Sequence, residues 1–257
     1  MTKTKLGLPP EYRKNPQYFD AFNINDDTDA KNAVIEKLLK QQKVKTVLDL
    51  TCGTGSQVFH LIRHGYTVTG SDFSPALLDI ARQKAKKANI SVPFIDGDMR
   101  TMKVGRFDAA ITIFNAVGHL TRAGFEKAMR NIHSNLEAGG IYVFDILNLD
   151  AMTDRTVADG SYHIHAKHDE SQLHAVQCST INRKNGRLVS YNYDIIQKAA
   201  EVPTLSKSKC ELQLYTAKEL VHMLARNEFE IIAQYDMDGL PFIKNKSMSI
   251  LTVAKKM

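Results

Sequence analysis

Asp49, Gly53 and Gly55 stand in the stretch Val47-Leu48-Asp49-Leu50-Thr51-Cys52-Gly53-Thr54-Gly55, a carboxylate followed by two glycines at D-x-x-x-G-x-G spacing. Glycine lacks a Cβ, so the backbone can bend sharply and approach a ligand there. The N–H groups that open the following helix would then face an anionic end of that ligand. The chemistry such a loop supports is the grip on a nucleotide-like molecule. Dinucleotide loops carry a third glycine in G-x-G-x-x-G, and Val58 occupies that position. The alternative is a ligand with one adenosine, no pyrophosphate and a small carboxylate. Cys52 reads as a small loop residue and not as a nucleophile.

Further polar groups recur at comparable places. Asp72 ends a second strand-like run about 20 residues after the glycine loop, where a carboxylate can accept hydrogen bonds from both ribose hydroxyls. Asp98 follows a third run, and Asn115 and His119 follow a fourth. Histidine, with an unperturbed pKa near 6.5, suits removal of a proton from a nucleophile. Asp145 and Asn148, after a fifth run, are candidates for substrate contact or for capping a turn. His163, His165, His168 and His174 invite a metal, but no carboxylate or cysteine at ligand spacing supports one, so none is expected.

The elements that must hold these residues alternate. Lys45 to Leu50 reads as a strand, and Val58, Leu61 and Ile62 fall at helical spacing after it. Tyr66 to Ser71 is a strand ending at Asp72, and Ser74-Pro75 starts a helix with a serine N-cap and proline at the first position. Ile90 to Ile95 and Phe107 to Phe114 are the next strands. Thr121 caps a helix bearing Phe125, Ala128, Met129, Ile132 and Leu136, which Gly139-Gly140 is expected to stop before a fifth strand, Ile141 to Leu147. Such alternation means a parallel sheet covered on both faces, with ligand across the carboxyl ends of its strands. Residues 148–214 change to imperfectly alternating segments, Tyr162 to Lys167, Leu173 to Asn182 and Leu188 to Lys198, with Asn185-Gly186 as a hairpin signal. Thr216 to Glu219 is a capping box, Tyr215 and Leu220 a possible staple, and Phe229 to Tyr235 and Ser247 to Ala254 close the sheet. The division expected is an arm or lid over 1–26, a core over 27–147, an antiparallel insertion over 148–214 serving as substrate cover or dimer contact, and a return to the core sheet over 215–257.

A chain of 257 residues with 43% hydrophobic content can bury a full core. No apolar run approaches a membrane span, and Met1 to Pro16 is polar where a signal peptide would be apolar, so a cytoplasmic protein is expected. Three cysteines without C-x-x-C spacing indicate neither a disulfide framework nor a zinc site. The net charge of +6 slightly favours anionic partners, but its one cluster, Arg82, Lys84, Lys86 and Lys87, lies opposite the apolar face of a helix and reads as solvated. No nucleic-acid-binding motif is legible.

With the glycine loop, Asp72, Asp98 and the alternation in place, the chain resembles the class I S-adenosylmethionine (SAM) dependent methyltransferases over nearly its whole length. The resemblance implies an α/β, Rossmann-like, seven-stranded, mostly parallel sheet whose last strand is antiparallel, with an antiparallel β insertion after strand five. It implies SAM as cofactor, held by Asp49, Thr51, Gly53, Thr54, Gly55, Asp72, Phe73, Phe114 and Asn115, with Asp98 on the adenine amino group and the Met99 N–H on a ring nitrogen. Thr51 departs from the glycine or alanine usual there; its hydroxyl could reach the methionine end of SAM or crowd it. Tyr18 to Asn23, Gly118-His119-Leu120, the β insertion, Tyr215-Thr216 and Asp236-x-Asp238-Gly239 look like a bacterial small-molecule branch that includes amino-sugar N-methyltransferases and is similar to glycine and sarcosine N-methyltransferases. By that resemblance His119 lies beside a substrate amine and Tyr18 closes over the donor methyl, these two being the catalytic candidates. The acceptor expected is a small molecule, methylated at nitrogen before oxygen, by a monomer or homodimer. Two rivals stay open. A nucleic-acid amino-methyltransferase would carry an acid or amide, two prolines and an aromatic after strand four, which Asn115-Ala116-Val117-Gly118 lacks. A SAM-binding protein without catalysis would share the same loop.

Overall fold

The computed structural model describes residues 12, 14–168 and 170–257, without the side chain of Tyr162. The chain's first strand, β1 (Thr46–Asp49), shows how the sheet forms. Val47 points to one face and Leu48 to the other, and both are fully buried, the period-2 pattern of a strand covered on both sides. Leu48 joins a core with Ala110, Phe144, Ile146 and Ile250. Val47 joins a second with Ala109, Ile111, Val143 and Leu251.

The core elements follow in order: α1 (Phe19–Asn23), α2 (Thr28–Gln41), β1, α3 (Ser56–Arg63), β2 (Thr67–Asp72), α4 (Pro75–Lys87), β3 (Phe94–Asp96), β4 (Phe107–Thr112), α5 (Arg122–Ser134) and β5 (Leu136–Leu147). The insertion carries α6 (Asp154–Asp159), β6 (Tyr162–His168), β7 (Ser171–Asn182), β8 (Arg187–Lys198) and β9 (Thr204–Gln213). The chain then returns through α7 (Ala217–Arg226), β10 (Phe229–Tyr235) and β11 (Ser249–Lys256). The seven-stranded sheet has the order β10-β11-β5-β4-β1-β2-β3. Strands β1 to β5 pair in parallel, and β11 is antiparallel to both β5 and β10. Strand order reverses between β1 and β4, and a ligand crevice in such a sheet opens beyond the carboxyl ends at that switch point. The expected Rossmann-like sheet with an antiparallel last strand is present. The insertion is a separate sheet, β6-β7-β8-β9, with every pair antiparallel.

Three local expectations are corrected. The third strand is only Phe94–Asp96, because Pro93 has no N–H to give a ladder. Helix α5 ends at Ser134 with Asn135 as C-cap, and Gly139 and Gly140 fall inside β5 instead of stopping the helix. The insertion has a fourth strand, β9, and a short helix, α6, that periodicity did not show. On the inner face of β9, Ser206 and Ser208 replace apolar residues and bond to Asp194 and Asn192 of β8. The capping box forms as expected, with Thr216 Oγ1 accepting from the Glu219 N–H and Glu219 Oε2 accepting from the Thr216 N–H. Of the arm expected over 1–26, residues 1–11 and 13 lie outside the described residues.

Candidate active site

A cavity of about 960 Å³, including its mouth, lies at the carboxyl ends of β1, β2 and β4. Its floor starts at Asp49, where β1 ends. That carboxylate is 1% exposed. Its Oδ1 accepts from the Thr51 N–H at 3.1 Å, while Oδ2 and the Thr51 hydroxyl are buried with no hydrogen-bond partner. Desolvation raises the Asp49 pKa to about 7, and the nearby Asp72 adds to the rise.

The glycine loop turns through two left-handed residues, Gly53 at φ +52° and Gly55 at φ +93°. A Cβ on Gly55 would stand 2.6 Å from the Phe59 ring, so the turn is closed to larger residues by space as well as by φ. Asp72, at the end of β2, fixes the loop: it accepts from the Gly53 N–H and the Ser74 N–H, each at 2.9 Å. Phe73, Gly97, Asp98 and Met99 continue the wall. Asp98 forms an Asx turn, its Oδ1 accepting from the Arg100 N–H at 3.0 Å and from Arg100 Nε at 2.8 Å.

The far wall follows β4. Phe114 and Asn115 are successive non-glycine residues with φ +59° and +58°. Each such residue costs about 1–3 kcal/mol, so neighbouring structure must hold them. Asp145 Oδ2, at the end of β5, accepts from the Asn115 N–H at 2.9 Å, and Asn115 Oδ1 accepts from the Leu147 N–H at 3.1 Å. These two bonds continue the β4–β5 ladder with side chains after the backbones have parted. Gly118 leaves room for the arrangement, since a Cβ there would lie 2.8 Å from Asn115 Oδ1. The 3-10 turn Ala116–His119 that follows carries His119 into the cavity wall. Its Nδ1 is buried without a partner, and desolvation lowers its pKa to about 4, so the ring is neutral at physiological pH.

The roof comes from the N-terminal segment. The Tyr12 ring stacks on Phe73 at 6.4 Å and meets the edges of Phe19 and His119 at 5.3 and 5.4 Å. Asp20 of α1 straps this segment down, accepting from the Thr54 hydroxyl and from Lys84 Nζ, both at 2.6 Å.

A family model described as a methyltransferase domain matches residues 47–140, which span β1 to the start of β5. Glycine N-methyltransferase from Oryctolagus cuniculus is 27% identical over 222 residues, 79% of this chain and 75% of that protein. The chain spans 66% and 57% of the length of two further curated relatives. A sugar N-methyltransferase from Streptoalloteichus has the same fold, with a TM-score of 0.77 at 20% identity over 93% of this chain and 92% of that one. A SAM-bound amino pentose methyltransferase from Micromonospora echinaspora gives 0.72 at 20% identity over 95% and 96%. Residues 47–140 are a methyltransferase domain, and the chain as a whole has the fold of these SAM-dependent methyltransferases.

The chain's own cavity fits that cofactor. The orphaned Asp49 Oδ2 and Thr51 Oγ1 are polar atoms that water no longer reaches, and a ligand carrying an ammonium and a sulfonium can satisfy them. Asp49, Thr51, Gly53, Thr54, Asp72, Phe73, Asp98, Met99, Phe114 and His119 line the cavity. Gly55 shapes the turn from outside it, and Asn115 supports the wall from behind. The Thr54 hydroxyl points to Asp20 and not to the cavity. Tyr18 is corrected: it lies outside the cavity, 1% exposed, its hydroxyl 2.6 Å from Ser171 Oγ and its ring packed with Leu173 and Ala175. It pins the N-terminal segment to the insertion, because the turn entering α1 sends Tyr18 outward and Phe19 inward. Tyr12, Phe19, Ile24 and Leu120 also line the site. Phe19, inside the stretch Tyr18 to Asn23, had a sequence signal; Tyr12 had none. The four insertion histidines stand apart from the site. His165 and His174 stack at 4.3 Å across β6 and β7. Among the described residues no group of three His, Cys, Asp or Glu could hold a metal, and no helix is long and apolar enough to cross a membrane.

Proposed function

We propose that the protein methylates the amine nitrogen of a small molecule. The observation that carries this reading is the neutral imidazole of His119, with an unpartnered Nδ1 in the wall of the cavity beside Tyr12. SAM, when bound, supplies a methyl group on a sulfonium, open to in-line displacement by a nucleophile. The chain's own residues have to place that nucleophile and exclude water, and orientation of this kind is worth roughly 7–11 kcal/mol in well-aligned reactions. With a pKa of about 4, His119 is a weak base but a lasting hydrogen-bond acceptor. It takes a hydrogen bond from the amine N–H and leaves the nitrogen lone pair aimed away from the ring. Tyr12 and Phe19 cover the other side and keep water out. The names of the relatives fit this reading, since they carry glycine, an amino pentose and a sugar nitrogen. We further propose that the protein is cytoplasmic and works as a monomer or homodimer.

The test is transfer of isotopically labelled methyl from SAM to a panel of glycine, sarcosine and amino sugars, with total RNA alongside. Label should appear on a small amine, and His119→Ala should lower that turnover by about 100-fold or more while SAM affinity stays within threefold. Label on RNA alone would refute the small-molecule reading. SAM binding without turnover on any of these acceptors would favour a binding protein.

A further inference from the structure

The loop after β3 is more tightly built than contact with one adenine requires. The Gly97 N–H donates to the Asp72 carbonyl at 3.0 Å, and a Cβ on Gly97 would lie 2.0 Å from Met102 Sδ. The Thr101 and Met102 N–H groups both donate to the Asp98 carbonyl at 2.9 Å. Asn131 Nδ2 of α5 donates to the carbonyls of Met99 and Met102 at 3.0 and 2.7 Å. The backbone from 97 to 102 is therefore fixed, and the Asp98 side chain is the remaining variable. Arg100 removes it. Nε donates to Asp98 Oδ1 at 2.8 Å and Nη2 donates to Oδ2, a two-pronged fork on one carboxylate. The guanidinium is itself well buried, its side chain 14% exposed against 26% for Asp98. A planar fork sets the plane of the carboxylate as a lysine ammonium could not.

We infer that Arg100 is a positioning residue of the cofactor site, orienting the Asp98 carboxylate so that it reads the exocyclic amino group of adenine. The inference rests on the reading of Asp98 as the adenine contact and does not depend on the acceptor. For a pair this buried, desolvation of both charges offsets much of their attraction, so stability alone is a weak account of the fork and orientation of the carboxylate is the stronger one. Asp98 lines the cavity and Arg100 does not, so the fork reaches a ligand there through Asp98.

The experiment compares S-adenosylhomocysteine with its 6-deamino analogue, which keeps the purine N1 and lacks only the amino group, by titration calorimetry. The wild-type protein should prefer the amino compound by tenfold or more. Arg100→Met should bring that preference below threefold by weakening the amino compound alone, the analogue's affinity staying within threefold. Arg100→Lys, which keeps the charge without the fork, gives the same readout if the methionine variant does not fold. Equal weakening of both ligands would mean a general structural role, and tighter binding of S-adenosylhomocysteine would mean that Arg100 blocks the adenine; either overturns the inference. So does a wild-type protein without preference, since Asp98 would then not read the amino group. None of these outcomes depends on the identity of the methyl acceptor.

Discussion

SAM affinity should rise with pH across the range where Asp49 titrates. In the free protein this carboxyl is wholly buried, its Oδ2 has no partner, and its pKa is raised from an ordinary 3.8 to about 7. A ligand that brings a sulfonium and an ammonium into the cavity favours the ionised form, so binding releases a proton wherever free Asp49 still holds one. For a folded pKa of about 7, free Asp49 is about 90% protonated at pH 6 and about a quarter protonated at pH 7.5. The observed association constant should then increase about eightfold over that interval, about 1.3 kcal/mol. The ligand's own α-amino group, with a pKa of about 7.7 to 8.0, has lost about a quarter to two-fifths of its charge at pH 7.5, which trims the expected rise to about five- to sixfold. Titration calorimetry in two buffers of different ionisation enthalpy should show about 0.9 proton released at pH 6. Asp49→Asn should bind more weakly at pH 7.5 and lose the rise with pH, its affinity falling by less than about twofold across this window as the ligand amine deprotonates. The linked stability has the opposite slope: a raised carboxyl pKa favours the free folded state at low pH, and that contribution is lost as pH rises from about 4 through 7. A wild-type affinity that stays flat from pH 6 to 7.5, with no proton released, would refute the claim that Asp49 is protonated before SAM arrives.

Asp20→Ala removes the bonds to the Thr54 hydroxyl and Lys84 that strap α1 over the glycine loop. Since the Lys84 pair is about 40% exposed on both sides, the melting temperature should shift by no more than about 2 °C, while stopped-flow release of SAM should quicken several-fold; an unchanged release rate counts against the strap. Gly55→Ala places a Cβ at φ +93° and 2.6 Å from the Phe59 ring, and should lower the unfolding free energy by about 1–3 kcal/mol in urea. An alanine variant as stable as the glycine protein would show that the turn relaxes freely.

The sheet was legible because its strands are buried on both faces. The runs ending at Asp49 and Phe114 are largely apolar, that ending at Asp72 is β-branched around Val68, and each is followed by a change of period or a cap. Strand β9 was hidden because the inner face of its first half carries Ser206 and Ser208, which serve the buried Asp194 and Asn192, so alternation of apolar with polar fails where the sheet satisfies polar groups internally. The end of helix α5 was misplaced for another reason. Gly139 and Gly140 signal a stop, but Asn135 already ends the helix, donating Nδ2 to the Asn131 and Met102 carbonyls. Glycine then serves the start of β5.

The site residues divide along the same line. Asp49, Asp72 and the glycines act on the backbone within a few residues of a strand end, and local sequence contains that information. Tyr18 and Tyr12 do not: both are tyrosines of one N-terminal segment, and their fates depend on which side of α1 meets the insertion. Tyr18 goes to Ser171, 153 positions away, and Tyr12 goes to His119. The brace behind His119 is as distant from local pattern. Phe114 and Asn115 can hold left-handed backbone because β5 runs beside β4 and presents Asp145 and the Leu147 N–H at the height where the ladder ends. Asn115 was read from sequence as a cofactor residue, whereas its side chain closes this brace. A strained turn held by two bonds to a neighbouring strand can carry an imidazole at a fixed place without any contact to the ring. That explains how His119 keeps Nδ1 unpartnered in the wall: the force that positions it acts on the backbone four residues earlier.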